Sequence, residues 1–269
     1  MEKLQAALAR ARNQRDGRAD QTKAPRRHQA GLPQTVPEPW EALEKVDLSH
    51  VGLRQHRIVA HDAGRGATNF DILRTKILMQ MQQNGWTRLA ITSPVSSSGK
   101  TTVACNLALG LGRQGNLRTM LFDFDLGDPS VHEFLGIERS QRLSDVLSGR
   151  VSLGDHAIRV RDNVAVVTSP EPEPDPTQFI LSDRMETFLN ITQENYQPDI
   201  MIFDLPAILS GDRARAFLNT VDCALIVALA GRTKFSDLDA CEREVAESTN
   251  VLGVVMNGCH PSAMPREDL

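Results

Sequence analysis

The segment that most limits how this chain can fold runs from residue 89 to residue 111 and reads LAITSPVSSSGKTTVACNLALGL. An apolar strand pattern ends at Thr92, a loop of small residues follows, and the GKTT sequence at 99–102 begins a helical pattern. In such a loop the backbone N–H groups point inward and the helix adds the positive end of its dipole, an arrangement that binds phosphate. The segment therefore predicts a phosphate-binding loop between a strand and a helix of an α/β domain.

This loop supplies the first candidate nucleotide-binding residues, which are Ser97, Ser98, Gly99, Lys100, Thr101 and Thr102. A lysine at this position can reach the β and γ phosphates, and the hydroxyl that follows it can bind Mg²⁺. The loop departs from the pattern GxxxxGK[ST], because Pro94 stands at the first glycine position and serines fill 96–98. Since serine adopts a positive φ only at a cost, we expect these serines to keep negative φ angles if the loop is to hold phosphate.

Short apolar runs alternate with helical patterns from about residue 56 onward. The pattern predicts strands at 88–92, 118–123, 164–168, 200–204, 224–229 and 251–256, and helices near 67–83, 101–113, 178–195 and 236–247. Most of the strands are continuously apolar, which is typical of strands covered by helices on both faces. The sequence therefore predicts the α/β class: a doubly wound, mostly parallel sheet of the P-loop NTPase type, with helices on both faces.

Two further predicted strands end in carboxylates. The sequence MLFDFDLGDPS at 120–130 contains Asp123 and Asp125, and PDIMIFDLPA at 198–207 contains Asp204. Ligands of open α/β sheets bind outside the carboxyl ends of the strands, where such groups can hold Mg²⁺ or accept a proton. The candidate catalytic residues are Lys100, Asp123, Asp125 and Asp204, and the candidate metal ligands are Thr101, Asp125 and Asp204.

The charge is unevenly distributed along the chain. Residues 1–30 hold eight basic and three acidic residues, whereas the whole chain of 269 residues has a formal net charge of −4. Such an arm is typical of contact with an anionic membrane surface or an acidic partner, and also of a solvated tail. We expect a basic, partly disordered arm with a short amphipathic helix at 1–50, a nucleotide-binding domain at 51–260 and a short tail without tyrosines at 261–269.

Within the arm, apolar spacing predicts the amphipathic helix at 1–14, and the polar composition of 16–39 predicts a linker. A second short helix is predicted through Trp40, Leu43 and Val46. No apolar run approaches the roughly 18 residues of a membrane helix, and the first residues lack the apolar stretch of a signal peptide, so we expect a cytoplasmic protein. No nucleic-acid partner is expected.

Cysteine and histidine spacing indicates no metal site. The four cysteines form no CxxC pair and the seven histidines show no ligand spacing. We therefore expect the histidines at the surface or at helix ends.

The order SPVSSSGKTTVACNLA, DFDLGDPSVHEFLG and IMIFDLPA resembles that of the bacterial tyrosine kinases of capsule and exopolysaccharide synthesis. The resemblance covers about residues 55 to 258. FDILRTKI at 70–77, DPTQFILSD at 175–183 and TNVLGVVMN at 249–257 are similar to further segments of that family.

The resemblance implies an ATP-dependent kinase or ATPase with Mg²⁺ as cofactor. It implies that Lys100 and Thr101 bind phosphates and Mg²⁺, that Asp123 is the base, and that Asp204 is the Walker B acid. It also implies that Asn257 lies near the adenine. A membrane-embedded polysaccharide co-polymerase would be the partner, at the inner face of the membrane, and the chain would assemble as a homo-oligomer.

Several positions depart from that family's motifs. Gly127 stands where the second motif usually has an arginine, which removes a cation near the phosphates. Of the pattern ExxRxxR, here Thr68, Asp71 and Arg74, only the last position matches. The only tyrosine is Tyr196, so we expect no autophosphorylation of a tyrosine-rich tail.

Two other functions stay open. A partition or septum-site type ATPase would normally have a lysine five places before the loop lysine, where Val95 stands. A non-catalytic, nucleotide-dependent regulator would account for Ser97, Gly127 and the scarcity of tyrosine together.

Overall fold

Eight strands form the centre of the computed structural model, which describes residues 36–138, 140–173 and 175–259. They are β1 (Glu44–Lys45), β2 (Arg88–Thr92), β3 (Thr119–Asp123), β4 (Ile158–Arg161), β5 (Val164–Val167), β6 (Ile200–Asp204), β7 (Cys223–Leu229) and β8 (Asn250–Asn257). They make one sheet in the order β1-β4-β5-β3-β6-β2-β7-β8. Every neighbouring pair is parallel except β4 and β5. The prediction of a mostly parallel α/β sheet is confirmed.

The α-helices of the described residues fall between and beside these strands. They are α1 (Glu38–Glu41), α2 (His50–Gln55), α3 (Thr68–Asn84), α4 (Lys100–Leu111), α5 (Val131–Leu135), α6 (Leu143–Leu147), α7 (Leu153–His156), α8 (Pro176–Ile180), α9 (Asp183–Tyr196), α10 (Arg213–Leu218) and α11 (Phe235–Ser248). Two short 3-10 helices cover Arg65–Ala67 and Ile208–Ser210. None of the described helices is long and apolar enough to cross a membrane.

Helices cover both faces of the sheet, which explains why the strands read as continuous apolar runs. On one face Leu121 and Ile202 pack with apolar residues of α3, α4 and α5. On the other face Phe122 and Phe203 pack with residues of α9, α10 and α11. Because side chains alternate along a strand, Asp123 and Asp204 point to the same side of the sheet as Leu121 and Ile202, the side of α4.

The sequence patterns did not predict two of the strands and several of the short helices. β1 has only two residues, and β4 reaches β5 through a two-residue turn that makes the pair antiparallel, as such a short connection requires. The predicted helix at 178–195 is two helices, α8 and α9. Helices α5, α6, α7 and α10 have four to six residues, too few for a clear helical period.

The sheet domain includes residues ahead of position 51. The predicted helix through Trp40 is wrong beyond Glu41, because Glu44–Lys45 pairs with β4 instead. Trp40 is fully buried, and its Nε1 donates a 2.9 Å hydrogen bond to the carbonyl oxygen of Asp162. The predicted amphipathic helix at 1–14, the first part of the linker and the tail lie outside the described residues.

Candidate active site

The loop between β2 and α4 curls back on itself. The hydroxyls of Ser93 and Ser98 both donate to the carbonyl oxygen of Val95, at 2.7 and 2.8 Å. The N–H of Ile208 donates to the Ser93 carbonyl oxygen at 2.8 Å, which ties the loop to the segment after β6. The Ser98 hydroxyl is therefore used within the loop, and the backbone N–H groups of the loop remain the groups suited to phosphate.

The expectation of negative φ angles for the serines is wrong at Ser97. Its φ is 60°, in the left-handed region, and Gly99 follows with a φ of 87°. A left-handed conformation costs an L-residue with a side chain roughly 1–2 kcal/mol. Ser97 is exposed and so meets no steric barrier beyond its own backbone. The loop thus keeps a curled shape at the cost of local strain.

Asn257 fixes this loop from the end of β8. Its Nδ2 donates a 3.0 Å hydrogen bond to the Ser98 carbonyl oxygen, and its Oδ1 accepts one of 2.9 Å from the Gly258 N–H. A Cβ on Gly99 would overlap the Asn257 amide, so glycine is needed for this approach as well as for its φ. In this structure Asn257 contacts the loop backbone rather than presenting its amide to a ligand.

Asp123 and Asp204 lie side by side at the ends of adjacent parallel strands. They are register partners in the pairing of β3 and β6, and both are fully buried. Thr101, in the first turn of α4, donates from its Oγ1 to Asp204 Oδ2 at 2.6 Å, and its Oγ1 also lies 3.3 Å from Ser130 Oγ. The phosphate loop and the two acidic strand ends therefore meet at one place.

Burial dominates the charge state of this acid pair. The pKa of Asp204 is raised to about 6, mainly by desolvation, although the charge of Lys100 and the Thr101 hydrogen bond act to lower it. Desolvation and the charge of Asp204 raise the pKa of Asp123 well above its ordinary value. On the opposite face of the sheet, the buried rings of Phe122 and Phe203 stack with centroids 5.1 Å apart.

A divalent cation fits this pair. Among the described residues, Oδ1 of Asp123 and Oδ1 of Asp204 are buried oxygens without a hydrogen-bond partner. Unpaired buried carboxylate oxygens are costly, and oxygen atoms are the ligands that Mg²⁺ prefers. A Mg²⁺ ion held by Thr101 and Asp204 would supply a partner for the unpaired oxygen of Asp204.

The other carboxylate oxygen of Asp123 is fully occupied. Asp123 Oδ2 accepts hydrogen bonds from the N–H groups of Ser130 and Val131, both at 2.9 Å, and from Thr168 Oγ1 at 3.1 Å. These bonds hold the start of α5 and the end of β5 against the site. Because Asp123 is buried and bonded in this way, it does not face an incoming hydroxyl in this structure.

Lys100 and Asp125 line the open side of the site. Lys100 Nζ lies 3.6 Å from Asp125 Oδ2, and both side chains are only partly accessible. Burial raises the pKa of Asp125, while the charges of Lys100 and Arg213 act to lower it. Asp125 is thus more accessible than Asp123, and the charges of Lys100 and Arg213 both act on it.

Arg213, at the start of α10, occupies the space beside Gly127. A Cβ built on Gly127 would overlap the Arg213 guanidinium, and the charge of Arg213 acts on Asp125. Sequence reasoning expected the missing arginine at position 127 to remove a cation from the site. The fold corrects this, because it brings an arginine from another segment into the space that Gly127 leaves free.

A cavity of about 340 Å³ adjoins the other side of the loop. Five of the predicted nucleotide-binding residues line it, namely Ser97, Ser98, Gly99, Thr102 and Asn257. Its outer wall includes His56 and Phe134, whose ring centroids are 4.6 Å apart. The three aspartates and Lys100 do not line this cavity, so it adjoins the acidic site from across the loop.

Residues 89–267, more than half of the chain, match the model of the CobQ/CobB/MinD/ParA nucleotide binding domain family. The chain belongs to this family. Among its relatives, tyrosine-protein kinase YwqD of Bacillus subtilis (strain 168) is 29% identical over 189 residues, 69% of this chain and 78% of YwqD. Putative tyrosine-protein kinase CapB of Staphylococcus aureus is 24% identical over 204 residues, 74% of this chain and 88% of CapB.

Solved structures that resemble this nucleotide-binding domain include a tyrosine kinase domain and a septum site-determining protein. The kinase domain of Escherichia coli tyrosine kinase ETK matches with a TM-score of 0.65 and 25% identity, covering 71% of this chain and 75% of that domain. The septum site-determining protein MinD from Pyrococcus horikoshii, complexed with Mg-ADP, matches with a TM-score of 0.53 and 24% identity, covering 67% and 74%. The likeness to MinD shows the shared fold, and the predicted resemblance to bacterial tyrosine kinases is confirmed.

Sequence reasoning missed three residues of this nucleotide-binding domain: Ser130, Thr168 and Arg213. Thr168 directly follows β5, so the rule that marked the two acidic strand ends could have found it. Ser130 lies within the quoted DFDLGDPS segment. No local pattern indicates Arg213, since its place depends on the packing of α10 beside Gly127.

Sequence spacing did not indicate one group that contains histidines. The fold brings His50, His61 and Asp62 together, with one potential ligand atom from each lying within 4.8 Å of the others.

Proposed function

We propose that this protein binds Mg-ATP and transfers its γ-phosphoryl group to a tyrosine hydroxyl of another protein. The observation that carries the proposal is the convergence of the phosphate loop with the acid pair, through the 2.6 Å bond between Thr101 and Asp204. The kinase names of the relatives that match most of the chain support phosphoryl transfer as the reaction class.

The residues divide the work by charge. Lys100 and Arg213 are cations whose charges both act on Asp125, and they are suited to neutralise charge on the phosphoryl oxygens as it develops. Thr101 and Asp204 would hold Mg²⁺, which when bound bridges and neutralises phosphate oxygens. Asp123 would have a positioning role, because its carboxylate accepts hydrogen bonds from the N–H groups of Ser130 and Val131 and so holds the start of α5 at the site.

Asp125 is our candidate for the group that accepts the proton of the tyrosine hydroxyl. The sequence resemblance implies Asp123 for this role, but Asp123 is fully buried whereas Asp125 lies at the accessible side. Burial raises the pKa of Asp125, which makes it a better proton acceptor than an exposed carboxylate, although Lys100 and Arg213 oppose that shift.

The cavity beside the loop is our candidate site for the nucleoside. Its volume of about 340 Å³ is in the range of small-molecule sites. The rings of His56 and Phe134 line this cavity, and an aromatic ring there can stack on a purine base. Asn257 would then act on the base site indirectly, by holding the Ser98 carbonyl.

The proposed phosphoacceptor is not Tyr196. This tyrosine ends α9, its side chain is 7% exposed, and burial raises the pKa of its hydroxyl. We therefore expect the accepting tyrosine to lie on another protein. We also propose that the chain works with a membrane-embedded polysaccharide co-polymerase, as the family resemblance implies.

The test measures Mg-ATP binding and phosphoryl transfer to a supplied tyrosine peptide, using the full chain and Lys100→Ala. Lys76→Ala is the matched control, because Lys76 is an exposed lysine on α3. We expect Lys100→Ala to lose transfer and at least 10-fold in nucleotide affinity, with Lys76→Ala unchanged. Equal affinity in all three proteins would contradict nucleotide binding at this loop.

The same assay separates the other functions. Hydrolysis without transfer, together with ATP-dependent dimerisation, would favour the partition or septum-site reading. Binding without hydrolysis or transfer would favour a non-catalytic regulator. Transfer to the peptide would exclude the regulator.

A further inference from the structure

A second polar cluster lies on segments that the proposed reaction does not use. His50 is the first residue of α2, and His61 and Asp62 follow that helix in a tight segment. His50 Nδ1 lies 3.3 Å from His61 Nε2, and His61 Nε2 lies 3.1 Å from Asp62 Oδ2. Two imidazole nitrogens and a carboxylate oxygen therefore converge on one point.

The second nitrogen of His61 identifies which atom is free to bind. His61 Nδ1 lies 3.1 Å from the carbonyl oxygen of Ile58, which can only accept a hydrogen bond. The ring hydrogen of neutral His61 is therefore on Nδ1, and Nε2 has its lone pair directed toward Asp62 and His50. Neutral His50 can donate its Nδ1 hydrogen to this lone pair, but the Asp62 oxygen at 3.1 Å then faces His61 Nε2 without a hydrogen between them, whereas a metal ion would bind all three atoms at once.

This arrangement is the usual one for a metal-binding histidine. Such a residue donates its other ring N–H to a backbone carbonyl, which fixes the tautomer and the ring orientation. A proton on Nε2 would also relieve the contact, so the experiment must distinguish a metal ion from a proton.

Backbone contacts hold the ligand residues in place. The buried amide of Asn106 accepts from the N–H groups of Val59 and Ala60 at 2.8 and 2.9 Å. Arg113 donates to the carbonyl oxygen of Asp62 at 3.2 Å, and Arg161 donates to that of His61. The segment is thus fastened to α4 and β4, so that His61 and Asp62 need little rearrangement to bind an ion.

We propose that His50, His61 and Asp62 bind a divalent transition-metal ion of the zinc class. Two nitrogens 3.3 Å apart, each about 2.05 Å from an ion, subtend an angle of about 107° at the ion, close to the tetrahedral value that zinc adopts. Imidazole ligands favour zinc over magnesium, and water would complete the four-coordinate shell. The ion would fasten the start of α2 to the segment at 58–62.

One charge opposes the ion. Arg161 lies 3.9 Å from Asp62 Oδ1, the carboxylate oxygen that does not face His61. Because that contact is long and on the far oxygen, Asp62 Oδ2 remains available. We expect the arginine to moderate the affinity rather than prevent binding.

The test is calorimetric titration of the full chain with zinc chloride, without nucleotide, because ATP itself binds zinc. Cys259→Ser is the background, since Cys259 is a partly accessible thiol near the end of the described residues. We expect one zinc ion per chain that depends on this cluster, a higher melting temperature with zinc, and at least a 10-fold weaker affinity at that site in His50→Ala and in His61→Ala. His132→Gln, which changes a histidine outside the cluster, is expected to bind zinc as the background does.

Magnesium chloride in the same titration is expected to give no signal from this cluster. Unchanged zinc affinity in both cluster variants would overturn the proposal. So would the absence of zinc binding in the background protein, which would leave a proton as the cation at His61. Circular dichroism shows whether each variant is folded, and a folded His61→Gln variant provides a second test if His61→Ala does not fold. ADP binding should be unaffected in every variant, so this result is separate from the outcome for nucleotide binding.

Discussion

Thr101 Oγ1 donates a 2.6 Å hydrogen bond to Asp204 Oδ2, joining the first turn of α4 to the end of β6 across 103 residues of sequence. The bond satisfies one oxygen of a fully buried carboxylate and leaves Oδ1 of Asp204 unpartnered among the described residues. A buried carboxylate in this state destabilises the ligand-free fold and stabilises the complex with a cation. The site is therefore built for the ligand rather than for stability.

We predict that Asp204→Asn makes the ligand-free protein more stable at pH 7.5, by about 1–3 kcal/mol, while abolishing Mg-ATP turnover. The amide can still accept the Thr101 hydrogen bond but has no charge to desolvate. The folded-state pKa of Asp204 is about 6, above its ordinary value of 3.8. The folded protein therefore binds more protons than the unfolded chain between these values.

It follows that the destabilisation is absent below pH 3.8, grows as pH rises and is complete above pH 6. Urea unfolding of both proteins at several pH values measures this, with the exposed Asp239→Asn on α11 as control. A stability difference that does not change between pH 4 and pH 7.5 would show that Asp204 is not the titrating group.

We predict that Arg213→Ala lowers the rate of phosphoryl transfer about 100-fold, the scale expected for one charge-stabilising group, with a smaller effect on ATP affinity. Arg215→Ala is the matched control, because Arg215 lies on the same helix and pairs with Glu244 at 2.8 Å. Steady-state kinetics on a tyrosine peptide gives kcat and KM for each protein.

The double variant Gly127→Arg/Arg213→Ala tests whether the position of the cation matters rather than its source. Gly127 does not have a positive φ, so an arginine can adopt its backbone conformation once Arg213 is removed. We expect the double variant to recover much of the lost rate, whereas in Gly127→Arg alone the Arg213 guanidinium must move to make room for the new side chain. If the double variant does not recover the rate of phosphoryl transfer, Arg213 has only a structural role.

We predict that Ser97→Gly stabilises the protein by up to about 1 kcal/mol. The change relieves roughly 1–2 kcal/mol of strain from the left-handed backbone of Ser97. This gain is partly offset because glycine gives the unfolded chain more conformational entropy, which costs about 0.4–1 kcal/mol of stability. Ser96→Gly is the control. Because Ser96 does not have a positive φ, this change relieves no strain and is expected to destabilise the protein through the entropy term alone. Thermal unfolding measures both. Destabilisation by Ser97→Gly equal to that by Ser96→Gly would contradict strain at Ser97.

We predict that Trp40→Ala costs about 3–5 kcal/mol of unfolding free energy, as expected for a large aromatic side chain removed from a core. Trp40 is fully buried, whereas Trp86 is only partly buried and serves as the comparison. Urea unfolding of Trp40→Ala and Trp86→Ala measures the difference. A cost below that of Trp86→Ala would mean that the segment ahead of residue 51 adds little to the fold.

The sequence by itself determined the fold class, the phosphate loop and the acidic strand ends. Apolar periodicity located six of the eight strands, because buried parallel strands are long continuous apolar runs. Since parallel strands end at one edge of the sheet, Asp123 and Asp204 could be assigned to one site before their register was known.

Only the tertiary structure decided which side chains fill the site. The place of Arg213 beside Gly127, the hydrogen bond from Thr168 to Asp123 and the contact of Asn257 with Ser98 join segments far apart in sequence. Such contacts depend on the order of strands in the sheet and on the space that neighbouring side chains leave. Local sequence patterns encode neither of these, and the same reason hid the approach of His50 to His61.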